Sequence, residues 1–209
     1  MKEKCTIFKK RTSKGFSKIY RLNLINSVTG YKSAHLLGTV SHSGIENLAV
    51  FSSVVHLGSN PALLGFILRP TTVPRHSHAN MKANGIFTLN AISKGQIEDA
   101  HHTSAKYSEE ISEFDQTQLK PQYKEGWEAP YVHGAPIQMG CRYLNEYSIL
   151  ENDTILIVAQ IEHLYIDSPL LGEDGWVQLD QGEIVSINGL DGYALPALLE
   201  RFEYARPKK

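Results

Sequence analysis

Extended apolar runs, more than helices, fill this sequence, and they come in short pieces broken by strong turn signals. Ile19–Ile25 and Ala34–Val40 flank a turn at Thr29-Gly30 and read as a hairpin. Leu48–Leu57 and Ala62–Leu68 flank Gly58-Ser59-Asn60-Pro61, a second turn. Ile86–Ile92 is apolar and extended, and 137–144 alternates apolar with polar or small residues. Thr154–Ile166 is the longest such run, with Trp176–Leu179 and Ile184–Ile187 closing the set. Helix is expected in three short windows: Ser77–Asn84, part of Lys94–Tyr107, and Glu109–Leu119. This order gives a closed or half-closed antiparallel barrel and excludes alternating strand–helix units. Neither G-x-G-x-x-G nor G-x-x-x-x-G-K-[ST] occurs, so the usual dinucleotide and P-loop folds are excluded as well.

With 209 residues, 42% of them hydrophobic, the chain can bury a core without covalent staples. Its 21 Lys and Arg balance 22 Asp and Glu, which gives no long-range attraction for nucleic acid or anionic membranes. The basic start (Lys2 to Lys18) is interrupted by apolar residues and reads as a loose arm over 1–18. No apolar run reaches the roughly 18 residues of a membrane span, and no signal-peptide core is visible, so a cytoplasmic location is expected. Cys5 and Cys141 are then expected to be free thiols. The nine histidines form no H-x-x-x-H pair on an expected helix, which argues against a catalytic zinc.

The stretch Arg69–Asn90 carries the strongest chemical signal. Arg69, Arg75, His76, His78, Thr71, Thr72 and Ser77 gather ahead of a short helix, with Ser77 as its expected N-cap and Gly85 just past its end. A helix start exposes free N–H groups and the positive end of the peptide dipoles. With Arg69, Arg75 and His76 beside it, that start suits a phosphate dianion; read alone, the stretch also fits a capped surface helix. Asn47–Asn60 carries a second signal: Ser52 and Ser53 interrupt an apolar strand. They fit either satisfied serines beside a bulge or a strand whose small side chains let backbone groups approach a flat heterocycle.

Taken in order, Asn47-Leu-Ala-Val-Phe-Ser-Ser53, Asn60-Pro-Ala-Leu-Leu-Gly-Phe66, Arg69-Pro70, Ser77-x-x-Asn80-Met81 and Gly85-Ile-Phe-Thr-Leu-Asn90 resemble the flavin reductase-like, FMN-binding split-barrel family. Downstream, Ser112-Glu-Phe-Asp115, Gly189–Tyr193 and Tyr204–Pro207 extend the likeness. The resemblance implies a mainly β fold, an antiparallel Greek-key split β-barrel with a few short helices, and one FMN-binding domain over 1–209. It implies FMN as cofactor: Phe51, Ser52, Ser53 and Val54 at the isoalloxazine edge, Arg69, Arg75, His76 and Ser77 at the phosphate, and Asn80 holding the loop. His102 falls in a segment that approaches the flavin or nicotinamide in relatives.

The implied activity is hydride transfer from NAD(P)H to FMN, with electrons passed on to free flavin or another acceptor. An electron carrier or flavin store reduced by a partner protein, or a barrel that takes haem or serves only as an interaction domain, are the competing readings. In this family no side-chain acid or base is obligatory, because the cofactor carries the chemistry. The tail 189–209 holds Leu195, Leu198, Leu199 and Phe202, which need cover from the barrel or a partner subunit; a homodimer with FMN near the seam is expected. Ser112-Glu113-Phe114 reads as a cap and a core anchor, and Trp127 and Trp176 as packing or interface residues. Ala at Arg69 or Ser77 is expected to release cofactor with the fold intact, whereas changes at Phe87 or Asn90 are expected to cost stability.

Overall fold

The computed structural model describes residues 15–124 and 126–207. Twelve strands and three α-helices follow one another as α1 (Lys18–Ser27), β1 (Lys32–Ser33), β2 (His35–Val40), β3 (Glu46–Phe51), β4 (Val55–Ser59), β5 (Ala62–Leu68), α2 (His76–Asn84), β6 (Ile86–Ala91), α3 (Ile97–His102), β7 (Pro121–Lys124), β8 (Trp127–Val132), β9 (Ile137–Ile149), β10 (Thr154–Ile166), β11 (Ser186–Asn188) and β12 (Gly192–Ala194). Cys5 and most of the expected N-terminal arm lie outside the described residues.

Seven strands form one antiparallel sheet in the order β3-β2-β6-β9-β10-β5-β4. Its two edges, β3 and β4, are consecutive in the chain, so the sheet curls until 52–54 bridges them without a ladder between them. Ser53 makes that crossing: its Oγ donates to the carbonyl of Ile67 at 3.2 Å and accepts the Ile67 N–H at 3.0 Å. The run expected as a single strand over Leu48–Leu57 is therefore two strands, broken where serine hydroxyls replace ladder partners. The result is a split barrel, mainly β, as the sequence predicts.

Side-chain alternation divides the core between the two faces of the sheet. Leu37, Leu64, Phe66, Phe87, Leu89, Cys141, Ile157 and Ala159 fill the barrel together with Met81 of α2. On the opposite face Leu36, Leu48, Ile92, Val132 and Ile187 pack with Ala100 of α3 and with Phe114. Phe51, Phe66 and Phe87 run edge-to-face through the interior, with ring centroids 5.3 Å and 5.7 Å apart. Burying such a ring contributes roughly 1.5–3 kcal/mol. Cys141 is a free, buried thiol whose titration is pushed upward by burial.

Three more expectations fail, each for a physical reason. Ile19–Ile25 is helix, not the first arm of a hairpin. Ser17 caps it by accepting the Tyr20 N–H at 3.2 Å, and β2 has no free edge for another strand because β3 and β6 flank it. The segment 109–119 forms turns in place of a helix: Glu113 and Phe114 both turn inward, and long-range contacts override local propensity. Trp176–Leu179 makes one isolated bridge, Leu171 to Val177, and no strand. The β7–β8 hairpin was not foreseen; its Trp127 is buried and donates Nε1–H to the Phe87 carbonyl.

Candidate functional site

One side of β3 is open. Leu48 turns its N–H away from β2 to the Glu113 carboxylate, 2.8 Å away. Alternation turns the N–H and C=O of Val50 to the same open side. The strand thus presents unpaired backbone groups along the edge that leads to Phe51, Ser52, Ser53 and Val54, all four half-buried. Ser52 is small and free of any recorded hydrogen bond among the described residues, while Ser53 is committed to Ile67. Val54 holds the segment from the other side by accepting the Ser33 hydroxyl at 2.9 Å.

At the far end of β3 stands the start of α2. Its N-cap is Arg75, without a side-chain capping bond, so Ser77 is the second helical residue and not the cap. Ser77 cannot cap because its hydroxyl is used elsewhere: buried, it accepts Asn47 Nδ2–H from β3 at 2.9 Å. Three positions later Asn80 donates to Thr39 Oγ1 of β2 at 3.1 Å, and Gly85 ends the helix at a φ of 72°. The amides of His78 and Ala79 turn back to the Arg75 carbonyl. Those of His76 and Ser77 find no acceptor among the described residues, which leaves two donors at the positive end of the helix.

Near these donors in the sequence stand two arginines and a histidine. Arg69 is exposed just after β5. Half-buried Arg75 donates Nε–H to the Pro70 carbonyl at 3.3 Å, which leaves the terminal guanidinium nitrogens available. His76 opens the helix and lies close enough to the buried Glu113 carboxyl to act on it electrostatically. Burial pushes Glu113 above the usual carboxylate range; the Leu48 amide and His76 partly offset that rise. The outer face of α2 is fixed to β9 by Glu146, which receives His78 at 2.6 Å and Lys82 at 2.7 Å. His102, exposed on α3, lies 2.6 Å from the Tyr107 hydroxyl.

The structure therefore brings Ser77 against β3 and Asn80 against β2, and sets Arg69 and Arg75 ahead of the same helix with His76 as its first residue. Phe51 to Val54 lie at the other end of β3. Asn47, Thr39 and Val50 were missed as parts of this arrangement, and Glu113 was read only as an anchor. A polar residue next to the apolar run of its strand, as with Thr39 and Asn47, is a signal that could have found these two.

Comparison with known proteins places the fold. The family profile described as flavin reductase like domain matches residues 29–181, and the chain belongs to that family. A structure from Shewanella frigidimarina NCIMB 400, described as a flavin reductase with a split barrel domain, is 35% identical, with a TM-score of 0.92 over 96% of this chain and 100% of that one. Component B of nitrilotriacetate monooxygenase from Bacillus cereus shares the fold at 18% identity and a TM-score of 0.81, over 97% and 100% of the two chains. So does the NADH:FAD oxidoreductase SgcE6 of Streptomyces globisporus C-1027, at 13% and 0.68 over 93% and 99%. No curated protein matches the chain. No helix among the described residues is long and apolar enough to cross a membrane.

Proposed function

We propose that this flavin-related oxidoreductase binds FMN along β3 and takes hydride onto it from NAD(P)H, passing the electrons to free flavin or another acceptor. One observation carries the reading: a helix start with two free amides, two arginines and a histidine stands at one end of an open-edged strand, and Phe51, two serines and Val54 lie at the other end. From Asn47 to Phe51 is about 13 Å of extended chain, a span suited to a mononucleotide's phosphate-to-ring arm. Two free amides beside two arginines suit a terminal phosphate dianion, which favours FMN over FAD.

In this reading Arg69, Arg75, His76 and the amides of His76 and Ser77 hold the phosphate. Each charge-assisted bond contributes roughly 1.5–3 kcal/mol. Asn80 fixes the loop through Thr39. The outward Val50 groups and the backbone of Ser52 to Val54 orient the ring edge, with Phe51 beneath and His102 on the α3 side. The flavin, when bound, supplies the hydride-accepting ring; the chain's part is to place it and to set the donors around it.

A second copy of the chain is proposed to cover the tail. Leu199 is 96% exposed and Phe202 83% exposed, and α1 adds Ile19, Tyr20 and Ile25 to the exposed apolar surface. Sedimentation would show a dimer. The visible spectrum of the purified protein tests the cofactor: flavin bands are expected, with FMN retained more tightly than FAD. Anaerobic NADH or NADPH should bleach them. Flavin bands that only dithionite or a partner protein can bleach would leave a flavoprotein without its own nicotinamide reaction.

A further inference from the structure

The segment 108–119 reaches the open edge of β3 and carries Glu113 inward, where it is 6% exposed. Three contacts hold this turn. Phe114 is buried with Leu48 and Ala100, the Ser112 hydroxyl accepts the Phe114 N–H at 3.3 Å, and the Thr117 hydroxyl donates to the Glu113 carbonyl at 2.8 Å. The carboxylate accepts backbone N–H groups, from Leu48 at 2.8 Å and from Glu113 itself; among the described residues no side chain donates to it. It is a buried acid with no cation in contact, and burial pushes its titration upward.

This acid stands beside the anion site. Asn47 and Leu48 are consecutive on β3, and Asn47 donates to Ser77 on the first turn of α2 at 2.9 Å. One residue of strand, about 3.3 Å, thus separates the position that Glu113 holds from the one seated against the helix start. His76, the first residue of that helix, is the charged group that acts on Glu113 and draws its titration down. The other titratable groups of the neighbouring elements are engaged elsewhere or exposed. Glu46 receives the Tyr123 hydroxyl at 2.7 Å, His78 lies against Glu146, and Asp99 of α3 receives the Gln118 N–H at 3.1 Å. Glu109, Glu110 and Asp115 of its own segment are exposed, and His101 and His102 of α3 pair with Tyr193 and Tyr107.

A phosphate at the start of α2 would engage His76 and set a like charge near a carboxylate that cannot turn out to water. Repulsion between such groups is weakly screened inside a protein. A proton on Glu113 relieves it without moving the chain. We infer that Glu113 couples flavin retention to pH: a flavin phosphate seats at the start of α2 together with a proton on Glu113, and the ionised carboxylate weakens its binding. The inference rests on the FMN reading above and adds a control to that site. Below pH 4.5 the carboxyl of the free protein is already protonated and costs the phosphate nothing. Above its folded value it is ionised, and the phosphate must bring in a proton or bear the repulsion.

Glu113→Gln keeps an acceptor for the Leu48 amide and cannot ionise. The full chain of each protein, freed of flavin, is titrated with FMN and with riboflavin at pH 4, 6 and 8 and constant ionic strength, read by flavin fluorescence. The two proteins should bind FMN equally at pH 4, and by pH 8 the native protein should bind it about tenfold more weakly than the variant. Riboflavin, which has no phosphate, should show no such gap. The second ionisation of a phosphate monoester, at about pH 6, is common to both titrations and cancels in the ratio. Should the variant fail to fold, the Glu113 carboxyl carbon is followed by ¹³C NMR in the native protein. Its titration should move upward when FMN binds and stay in place with riboflavin. An FMN ratio level from pH 4 to pH 8, a riboflavin gap as large as that for FMN, or a carboxyl titration unmoved by FMN would overturn the inference and leave FMN binding standing. A native protein that binds no FMN at any pH would overturn the FMN reading and this inference with it.

Discussion

Asn47 of β3 donates its side-chain amide to the hydroxyl of Ser77, 2.9 Å away on the first turn of α2, and both residues are buried. This bond, more than any cap, seats the helix start against the open strand. Ser77→Ala leaves the Asn47 amide without its partner, a loss of about 1–3 kcal/mol. The expected outcome is therefore a less stable protein as well as weaker FMN retention, not the intact fold that the sequence alone suggested. Urea unfolding of the two single variants and the Asn47→Ala/Ser77→Ala double variant checks this. The double variant should lose less than the sum, because it orphans no group.

Arg69 should behave differently. It is exposed and makes no side-chain hydrogen bond to any other group among the described residues. Arg69→Ala should leave the unfolding midpoint unchanged and weaken FMN about ten- to a hundredfold, the size of one charge-assisted bond to phosphate. Flavin fluorescence on titration measures it. Equal affinity for riboflavin in both proteins would place the lost contact at the phosphate.

The sequence showed the barrel because strand periodicity and turn chemistry are local. Thr154–Ile166 matched β10 at both ends, and Gly85 ended α2 with the positive φ expected of it. It hid whatever depends on a distant partner. Ile19–Ile25 alternates well enough for a strand, yet only the topology shows that β2 has no edge to offer it. Ser77 looks like a cap until Asn47, thirty positions earlier, is found to occupy its hydroxyl. Glu113 sat in a stretch read as helix, and its role on the Leu48 amide is visible only once β3 is known to be an edge. Alternation cannot report a residue that bonds across the fold.

Asn90 tests the division between core and site. It is fully buried, donates Nδ2–H to the Leu36 carbonyl and to Thr88 Oγ1, and accepts the Val132 N–H. Asn90→Ala strands groups on three strands at once and should cost about 3 kcal/mol. The folded fraction should still bind FMN normally, read by flavin content per unit of folded protein.

Glu113 predicts a pH dependence. Its folded titration lies above the ordinary value of 4.5, chiefly because of burial. For an acid shifted upward, the folded state holds the proton more tightly than the unfolded one. Its contribution is thus most favourable below pH 4.5 and declines as pH rises through the folded value. Glu113→Gln keeps an acceptor for the Leu48 amide and removes the charge. Native protein should lose stability relative to this variant as pH rises above 4.5, and thermal unfolding at pH 4 and pH 8 reads the difference. Parallel curves would mean that the carboxylate ionises there without cost.

Glu146 should show the opposite sign. Burial pushes its carboxyl upward, but hydrogen bonds from Lys82, His78 and Tyr143 outweigh that and bring it down to about 2. A depressed acid stabilises the fold above its unfolded value near 4.5 and loses that contribution as pH falls toward 2. The carboxylate is a quarter exposed, so solvent screens much of the effect, and about 1 kcal/mol at pH 7 is the expected size. Glu146→Gln should therefore be less stable than the native protein at pH 7 and nearly equal to it at pH 2.5, measured by urea unfolding at both. A gap of the same size at both values would show that shape, not charge, fastens α2 to β9.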